Sequence, residues 1–162
     1  MIVVRPMMRE DVPEACAILN QIIEIGGTTA FEIPFSETLF VQSYLEGTDK
    51  VCCHVAVDSD GQVAGFQWLG TYENLPEDCA DIATFTRRAP VLKGAGRALF
   101  QETEKTARAM GFKSINATIR ADNAQGLSYY DKMGFRVFSV EYGVRLRDGT
   151  PVNRISKRFD LS

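Results

Sequence analysis

One segment, residues 79–119, constrains the fold more than any other part of this sequence. An apolar stretch over residues 79–86 predicts a strand, and the glycine turn around Gly94 then opens a helix that Gly111 is placed to end. A second strand follows at 115–119, where apolar and polar residues alternate. Strand, helix and strand in this order predict a crossover unit with two parallel strands at the centre of a sheet. We expect the functional site near the middle of that sheet, where the parallel strands diverge.

The rest of the chain supplies strands and helices around this unit. Asp11 is placed to cap a helix with Pro13 in its first turn, and Ser36 is placed to cap a second helix. The predicted strands cover residues 2–5, 51–57, 63–72, 79–86, 115–119, 136–147 and 152–160. The predicted helices end near Ile25, Glu46, Met110 and Met133, and Met110 is expected on the buried apolar face of its helix. This order, β-α-α-β-β-β-α-β-α-β-β, predicts one α/β (α+β) domain over residues 1–162, with a mixed central sheet flanked by helices.

The composition excludes several classes of function. The 162 residues carry a formal net charge of -3 with a pI near 5.2, so the chain offers no broad basic surface for a nucleic acid. No apolar run approaches the length of a membrane span, and the N-terminus lacks the apolar segment of a secretion signal. We therefore expect a cytoplasmic protein that binds neither nucleic acid nor membrane. The four cysteines show no C-x-x-C spacing and His54 is the only histidine, so we expect reduced thiols and no metal site.

Two short segments carry the candidate chemistry. In the first, Gly94-Ala95-Gly96 turns the chain from a strand into a helix, and such a turn points backbone N–H groups at a phosphate. The third glycine of a dinucleotide fingerprint is absent, and so are the lysine and hydroxyl of a Walker loop. In the second segment, Asn123 and Tyr130 lie seven residues apart and so share one face of a helix. Together the segments predict a ligand with a pyrophosphate at one end and chemistry at the other.

These two segments resemble the signature motifs of the GNAT superfamily of acetyl-CoA-dependent N-acetyltransferases, and the resemblance extends over nearly the whole chain. The pyrophosphate motif of that superfamily, [Arg/Gln]-x-x-Gly-x-[Gly/Ala], is matched by residues 91–96 except at its first position, which is Val91. The second motif, an Asn followed seven residues later by Tyr and then by x-x-x-Gly-Phe, is matched in full over residues 123–135. Asn20 and the stretch 28–34 are similar to the branch that acetylates phosphinothricin and methionine sulfoximine.

The resemblance implies acetyl-CoA as the cofactor and assigns the residues that would hold it. The backbone of strand 79–86 would bond the pantetheine arm as an added strand, while Asn123 would bond the same arm, cap its own helix, or do both. Backbone N–H groups would still hold the pyrophosphate despite Val91, and Lys93 and Arg97 would either add positive charge or stay solvated. The implied cofactor contacts are Thr84, Phe85, Thr86, Leu92, Lys93, Gly94, Ala95, Gly96, Arg97, Asn123 and Tyr130.

The implied mechanism is direct attack of a neutral amine on the acetyl carbonyl. Tyr130 would lie beside the thioester sulfur and donate to the departing thiolate, because a phenol is neutral at physiological pH. An alkyl ammonium must first lose a proton, and the candidate bases are Glu32, Glu73 and Asp81, in that order. The aromatic loop between the first two helices predicts a lid over the substrate. We expect the substrate to contact Phe31, Glu32, Phe35 and Glu73.

Three functions remain open on the sequence alone. The first is acetylation of a primary amine on a small molecule, either an amino acid or an amino-acid analogue. A carboxylate clamp for such a substrate is available from Arg87, Arg88, Arg120 and Arg145. The second is acetylation of a protein or peptide amine, which needs an open groove where this chain has an aromatic loop. The third is a non-catalytic module that binds acetyl-CoA. The apolar pattern of Ile155, Phe159 and Leu161 also favours a homodimer through the C-terminal strands.

Overall fold

The computed structural model describes residues 1–162, and one seven-stranded sheet runs through it. The strands are β1 Val3–Pro6, β2 Lys50–Val57, β3 Val63–Gly70, β4 Cys79–Thr86, β5 Ser114–Arg120, β6 Arg136–Arg145 and β7 Pro151–Asp160. The helices are α1 Val12–Ile25, α2 Glu37–Phe40, α3 Ala95–Ala109 and α4 Ala124–Met133. A 3-10 turn, Arg9–Asp11, precedes α1, and a π-helical segment, Val41–Leu45, extends α2. The order of the elements confirms the predicted mixed sheet flanked by helices.

The sheet has the strand order β1-β2-β3-β4-β5-β7-β6. Only β4 and β5 are parallel, and every other pair of neighbours is antiparallel. The parallel pairing begins at Cys79 and Ser114 and ends at Asp81 and Asn116. Beyond this point β4 and β5 diverge, so the predicted opening between the parallel strands lies in the middle of the sheet.

Helices cover the two faces of the sheet and divide the core in two. On one face, Leu19 of α1 and Phe40 of α2 belong to a cluster with Phe66 of β3. On the other face, Phe100 of α3 and Tyr130 of α4 belong to a cluster with apolar residues of β3, β4 and β5. We call these sides the α1 face and the α4 face. None of the helices is long and apolar enough to cross a membrane.

Two local predictions at helix ends are wrong. Asp11 precedes α1 as predicted, but its side chain does not cap the helix. The carboxylate of Asp11 instead pairs with the guanidinium of Arg5 at 2.7 Å and accepts from the N–H of Met8 at 2.8 Å. The bond to Arg5 is the main reason why the pKa of Asp11 is lowered. Met110, expected on the buried face of α3, is 64% exposed because the helix ends at Ala109.

Two of the three apolar residues on which the homodimer prediction rests, Phe159 and Leu161, pack in the core of this chain. The ring of Phe159 packs 5.2 Å from the ring of Phe100, and Leu161 is buried in the same cluster. The sequence pattern does not distinguish packing in the core from packing against a second copy, because both require alternating apolar residues. The large apolar side chains exposed on β6 are Val137, Phe138 and Tyr142.

Candidate active site

A cavity of about 990 Å³ opens where β4 and β5 diverge. Its lining includes every residue from Asp81 to Arg88 along β4 and its C-terminal extension. Because successive side chains of a strand point to opposite faces, this continuous run shows that the cavity passes through the sheet. Thr84 and Tyr130 line it on the α4 face, while Asp81 and Asn116 line it on the α1 face. Two ligands can therefore meet in the sheet from opposite sides.

The edge of β4 offers backbone groups to this cavity. No ladder pair joins β4 to β5 beyond Asp81, so the N–H and C=O groups that point toward β5 have no strand partner there. On its other edge β4 stays paired with β3 as far as Thr86. An extended ligand can bind such an unpaired edge as an additional strand. The three residues predicted to bind the pantetheine arm, Thr84, Phe85 and Thr86, all line the cavity.

The N-terminus of α3 borders the same cavity at Leu92 and Gly96. Gly94 is the N-cap residue of α3, with a φ of 90° that glycine adopts without strain, and no side chain caps the helix. The N–H of Ala95 donates to the carbonyl of Leu92, and the next two N–H groups, those of Gly96 and Arg97, therefore remain available to an anion. A Cβ atom on Gly96 would lie 2.7 Å from Cε1 of Tyr129, so the close approach of α3 to α4 requires glycine at position 96.

Other parts of the glycine turn lie outside the cavity. Four of the predicted cofactor contacts do not line it, namely Lys93, Gly94, Ala95 and Arg97. Val91, which departs from the family motif, is 72% exposed and lines the cavity. Positive charge beside the turn comes instead from Arg87 and Arg88, both of which line the cavity. Arg87 is held by Asp58 at 2.9 Å, and Arg88 donates to Gln125.

Tyr130 is the buried phenol of the site. Its ring packs 4.9 Å from that of Tyr129 and 5.0 Å from that of Phe135, and its hydroxyl lies 2.9 Å from Oγ1 of Thr84. Burial raises the pKa of Tyr130 well above its ordinary value, and the proximity of Tyr129 raises it further. The phenol therefore stays protonated throughout the physiological pH range and can donate a hydrogen bond.

A buried polar network supports this phenol. Gln67 on β3 is fully buried, and its Nε2 donates to Oγ1 of Thr84 at 2.9 Å and to Oη of Tyr129 at 3.0 Å. Tyr129 in turn donates to the carbonyl of Gly96 at 2.7 Å. The network joins β3 and β4 to α4 and the start of α3. Sequence reasoning missed Gln67, although a lone polar residue within the apolar strand Val63–Gly70 is the signal that could have found it.

Asn123 holds a loop against the site. Its Oδ1 accepts from the N–H of Gly126 at 2.9 Å as the N-cap of α4, and its Nδ2 donates to the carbonyl of Thr28 at 2.7 Å. Arg120 donates to the next carbonyl, that of Thr29, at 3.1 Å. Asn123 lines the cavity, but both of its side-chain groups already have partners within the chain. The predicted bond from this side chain to the pantetheine arm would compete with them.

The loop between α1 and α2 is also held at its other end. Asn20 accepts from the N–H of Phe35 at 2.7 Å and donates to the carbonyl of Phe35 at 2.9 Å. Phe31 lines the cavity as predicted, but Phe35 does not. Phe35 packs 5.0 Å from the ring of Phe31 and 6.0 Å from that of Tyr44, on the side of the core. The loop therefore presents one aromatic ring to the cavity and anchors itself with the other.

The structure changes the ranking of the three candidate bases. Glu32 is exposed and lies outside the cavity lining, where its carboxylate accepts from the N–H of Arg147 at 3.1 Å. Glu73 is exposed in the loop after β3 and does not line the cavity either. Asp81 does line it, and burial raises the pKa of this carboxyl despite the bond donated by Asn116 at 3.0 Å. A buried carboxyl with a raised pKa in a cavity is suited to proton transfer.

The charged residues of the α1 face differ from those expected. The four arginines predicted as a carboxylate clamp already have partners, which are Asp58 for Arg87, Gln125 for Arg88, Asp122 for Arg120 and the Gly149 carbonyl for Arg145. Three of these arginines, Arg87, Arg88 and Arg120, line the cavity, and so do Arg154 and Arg158 on β7, together with Asp81 and Glu141. Arg158 donates from Nε to Oδ1 of Asn116 at 2.8 Å. Side chains alternate between the two faces along β7, which places residues 154, 156 and 158 on one face. This pattern could have identified Arg154 and Arg158 from the sequence.

An unpaired strand edge, a helix N-terminus with free N–H groups and a buried phenol surround one cavity, and this arrangement suits an acyltransferase that uses a pantetheine thioester. The model of the Acetyltransferase (GNAT) family matches residues 19–135. The chain therefore belongs to this family, and it is an N-acetyltransferase.

Individual relatives share both sequence and architecture with the chain. The protein YwnH of Bacillus subtilis (strain 168), named as a phosphinothricin acetyltransferase, is 28% identical over 153 residues, which cover 93% of this chain and 90% of YwnH. A crystal structure of a protein named as a phosphinothricin N-acetyltransferase has a TM-score of 0.87 at 25% identity, covering 100% of this chain and 99% of that one. The phosphinothricin acetyltransferase Pat of Sinorhizobium meliloti, in complex with acetyl-CoA, has a TM-score of 0.86 at 19% identity, covering 99% and 89%, and so shares the fold.

Proposed function

We propose that this enzyme transfers the acetyl group of acetyl-CoA to the primary amine of a small molecule that also carries a carboxylate. An amino acid or an analogue such as phosphinothricin or methionine sulfoximine fits this description. The observation that carries the proposal is the cavity through the sheet, with a phenol donor on its α4 face and charges of both signs on its α1 face. The name of YwnH supports the substrate class.

The residues of the chain fit acetyl-CoA. The unpaired edge of β4 beyond Asp81 suits the amides of a pantetheine arm, and the uncapped N-terminus of α3 suits a pyrophosphate. When bound, acetyl-CoA would supply a thioester whose acetyl carbon an amine attacks directly, and CoA would leave as a thiolate that takes up a proton after it departs. Gly96 allows α3 to pack closely against α4, because a side chain there would meet the ring of Tyr129. Arg88 adds positive charge to the cavity wall.

Tyr130 is suited to stabilise the leaving sulfur by donating a hydrogen bond. A thiol has a pKa of about 8.5 and a phenol of about 10, so complete proton transfer from phenol to thiolate is unfavourable by about 2 kcal/mol before any effect of burial. Burial raises the pKa of Tyr130 and increases this cost. A donated hydrogen bond avoids the cost and becomes stronger as negative charge develops on sulfur. Of the two roles open to a neutral tyrosine, hydrogen-bond donor and general acid, the raised pKa therefore favours the first.

Asp81 is the residue that we propose to accept the proton of the amine. It lies three residues before Thr84 on β4, so its side chain points to the opposite face, from which the amine would approach. The raised pKa of Asp81 brings its carboxyl closer to the working pH and so favours proton exchange. As the amine nitrogen bonds to the acetyl carbon and the carbon–sulfur bond breaks, the nitrogen gives one proton to Asp81. Arg154 and Arg158 are placed to hold the carboxylate of the substrate.

The loop between α1 and α2 favours a small amine over a protein amine. Asn123 and Arg120 hold its first part against the cavity, and Asn20 holds its last part against α1. An extended peptide needs an open groove on this side, which the loop limits. The buried donor Tyr130 is likewise a feature that a non-catalytic binding module does not need.

A substrate panel tests the proposal. Mass spectrometry would detect acetylated product and CoA from amino acids, phosphinothricin, methionine sulfoximine, the matching amines without a carboxylate, polyamines and a short peptide. We expect product chiefly from amines with a carboxylate. In the Arg154→Gln variant the KM for such a substrate should rise, while Arg136→Gln, at an exposed position on β6, serves as the control. Preference for the peptide would favour the protein substrate, and binding of acetyl-CoA without any product would favour the binding module.

A further inference from the structure

The hydrogen bonds around Tyr130 form a chain whose direction can be assigned. The chain begins at the carbonyl of Gly96, which can only accept. Tyr129 has one hydroxyl proton and donates it to this carbonyl at 2.7 Å. Oη of Tyr129 must therefore accept in its contact with Gln67, so the side-chain atom of Gln67 that lies 3.0 Å away must be the nitrogen Nε2.

The same nitrogen determines the direction of the next bond. Nε2 of Gln67 lies 2.9 Å from Oγ1 of Thr84 and donates its second proton there. The hydroxyl of Thr84 can then give its own proton to Oη of Tyr130, at 2.9 Å. In this arrangement the protons of Tyr129, Gln67 and Thr84 all have acceptors within the chain, and Tyr130 accepts from Thr84. The hydroxyl proton of Tyr130 has no acceptor in the chain of hydrogen bonds and is free to point into the cavity, which Tyr130 lines.

Stability does not explain why Gln67 occupies this position. The side chain is fully buried, and its Oε1 has no hydrogen-bond partner. A buried carbonyl oxygen without a partner destabilises the folded state, and an apolar residue of similar volume would avoid that cost. Gln67 faces Thr84 directly across the ladder between β3 and β4, so the sheet itself places the amide beside the chain of hydroxyls. A role in the site accounts for a residue that packing alone disfavours.

We infer that Gln67 is a positioning residue, which directs the hydroxyl proton of Tyr130 into the cavity by making Thr84 a donor to Tyr130. This inference rests on the proposed function of Tyr130 at the leaving sulfur. A residue at position 67 without a donor group frees Thr84 to accept from Tyr130. The Tyr130 proton then points away from the cavity for part of the time, and the sulfur loses its donor.

The pKa of the thiol of bound CoA measures directly whether the sulfur has its donor, and this measurement needs no acetylated substrate. Its ionisation can be followed by thiolate absorbance, with the same protein bound to desulfo-CoA as the reference that removes the signal of the protein's own cysteines. In the Gln67→Met variant the pKa of the bound thiol should rise by about one unit relative to the wild type, because a thiolate without its donor is less stable. An equal pKa in both proteins would overturn the inference, whatever amine the enzyme acetylates.

A double-mutant cycle separates positioning from a general structural effect. Gln67→Met should lower kcat by about tenfold in the wild type and by less than about twofold in the Tyr130→Phe background, where no hydroxyl remains to orient. Equal losses in both backgrounds would overturn the inference while leaving the role of Tyr130 intact. No loss in Tyr130→Phe itself would overturn both. Thr103→Val, which removes another buried and unpartnered side-chain group outside the cavity, should leave kcat unchanged.

Thr84→Val provides a second test of the same chain. It removes the hydroxyl oxygen toward which the Tyr130 proton would turn when it points away from the cavity, so the pKa of the bound thiol should stay close to that of the wild type. In this background Gln67→Met should no longer raise the thiol pKa, because Thr84 is no longer there to accept from Tyr130. Thermal unfolding and binding of CoA establish that each variant is folded. A rise in thiol pKa caused by Gln67→Met that persists in the Thr84→Val background would overturn the inference.

Discussion

Replacing Asn123 with Ala and with Ser separates the two hydrogen bonds that this side chain makes. One bond caps α4 through the N–H of Gly126, and the other holds the carbonyl of Thr28 in the loop between α1 and α2. Loss of an N-cap costs about 1 kcal/mol, and loss of a neutral hydrogen bond costs about 1 kcal/mol more. Asn123→Ala loses both bonds and should lower the free energy of unfolding by about 2 kcal/mol. Asn123→Ser keeps the cap and should lower it by about 1 kcal/mol.

Urea unfolding followed by circular dichroism measures these differences in free energy, and thermal unfolding measures the corresponding shifts in Tm. For a chain of this size, 1 kcal/mol corresponds to about 2–4 °C in Tm, so the Ala variant should lose about 4–8 °C and the Ser variant about 2–4 °C. Both variants release Thr28 and should raise the KM for the amine by similar factors, because the loop borders the cavity. A Ser variant with wild-type stability and wild-type KM would refute the role assigned to the Thr28 bond. Equal destabilisation in both variants would refute the contribution of the cap.

Three further substitutions test other parts of the site. Asp81→Asn should lower kcat/KM by about a hundredfold or more. As pH rises from 4 to 8, the free energy of unfolding of Asp81→Asn should increase relative to that of the wild type, because burial raises the pKa of Asp81 and ionisation of this carboxyl destabilises the folded wild type. A difference that stays constant across that pH range would contradict this. Gly96→Ala should weaken CoA binding measured by calorimetry and lower stability by about 1–3 kcal/mol, because the new methyl group would meet the ring of Tyr129, and wild-type binding would show that the ring can move. Glu32→Gln should leave kcat/KM within about twofold, because this carboxylate is exposed outside the cavity, and a large loss would restore Glu32 as the base.

Local signals predict most of the fold correctly. The glycines at the ends of helices are examples, since Gly134 has a φ of 104° at the end of α4 and Gly94 has a φ of 90° at the start of α3. The crossover between β4 and β5 followed from the order of two strands and one helix. The π-helical segment Val41–Leu45 was not predicted, because a cap at Ser36 and an apolar pattern indicate a helix without distinguishing its type.

The site was less predictable because side-chain direction depends on contacts between distant parts of the chain. Tyr130 and Thr84 were identified because they lie in or beside short motifs. Glu32 was ranked first as a base, yet its carboxylate contacts the N–H of Arg147, which is 115 residues away in sequence. Arg154 and Gln67 belong to no local motif, and only the register of the sheet brings Arg154 to the cavity and Gln67 to Thr84.

The central claim is that the hydroxyl of Tyr130 stabilises the leaving sulfur. The most direct test measures kcat and the Kd for acetyl-CoA together in Tyr130→Phe, with the 77% exposed Tyr142→Phe as the matched control. The account predicts a fall in kcat of about a hundredfold or more with the Kd unchanged, since one preorganised donor at a developing charge contributes about that much. An unchanged kcat would contradict the claim, and so would a loss of turnover explained by a loss of acetyl-CoA binding.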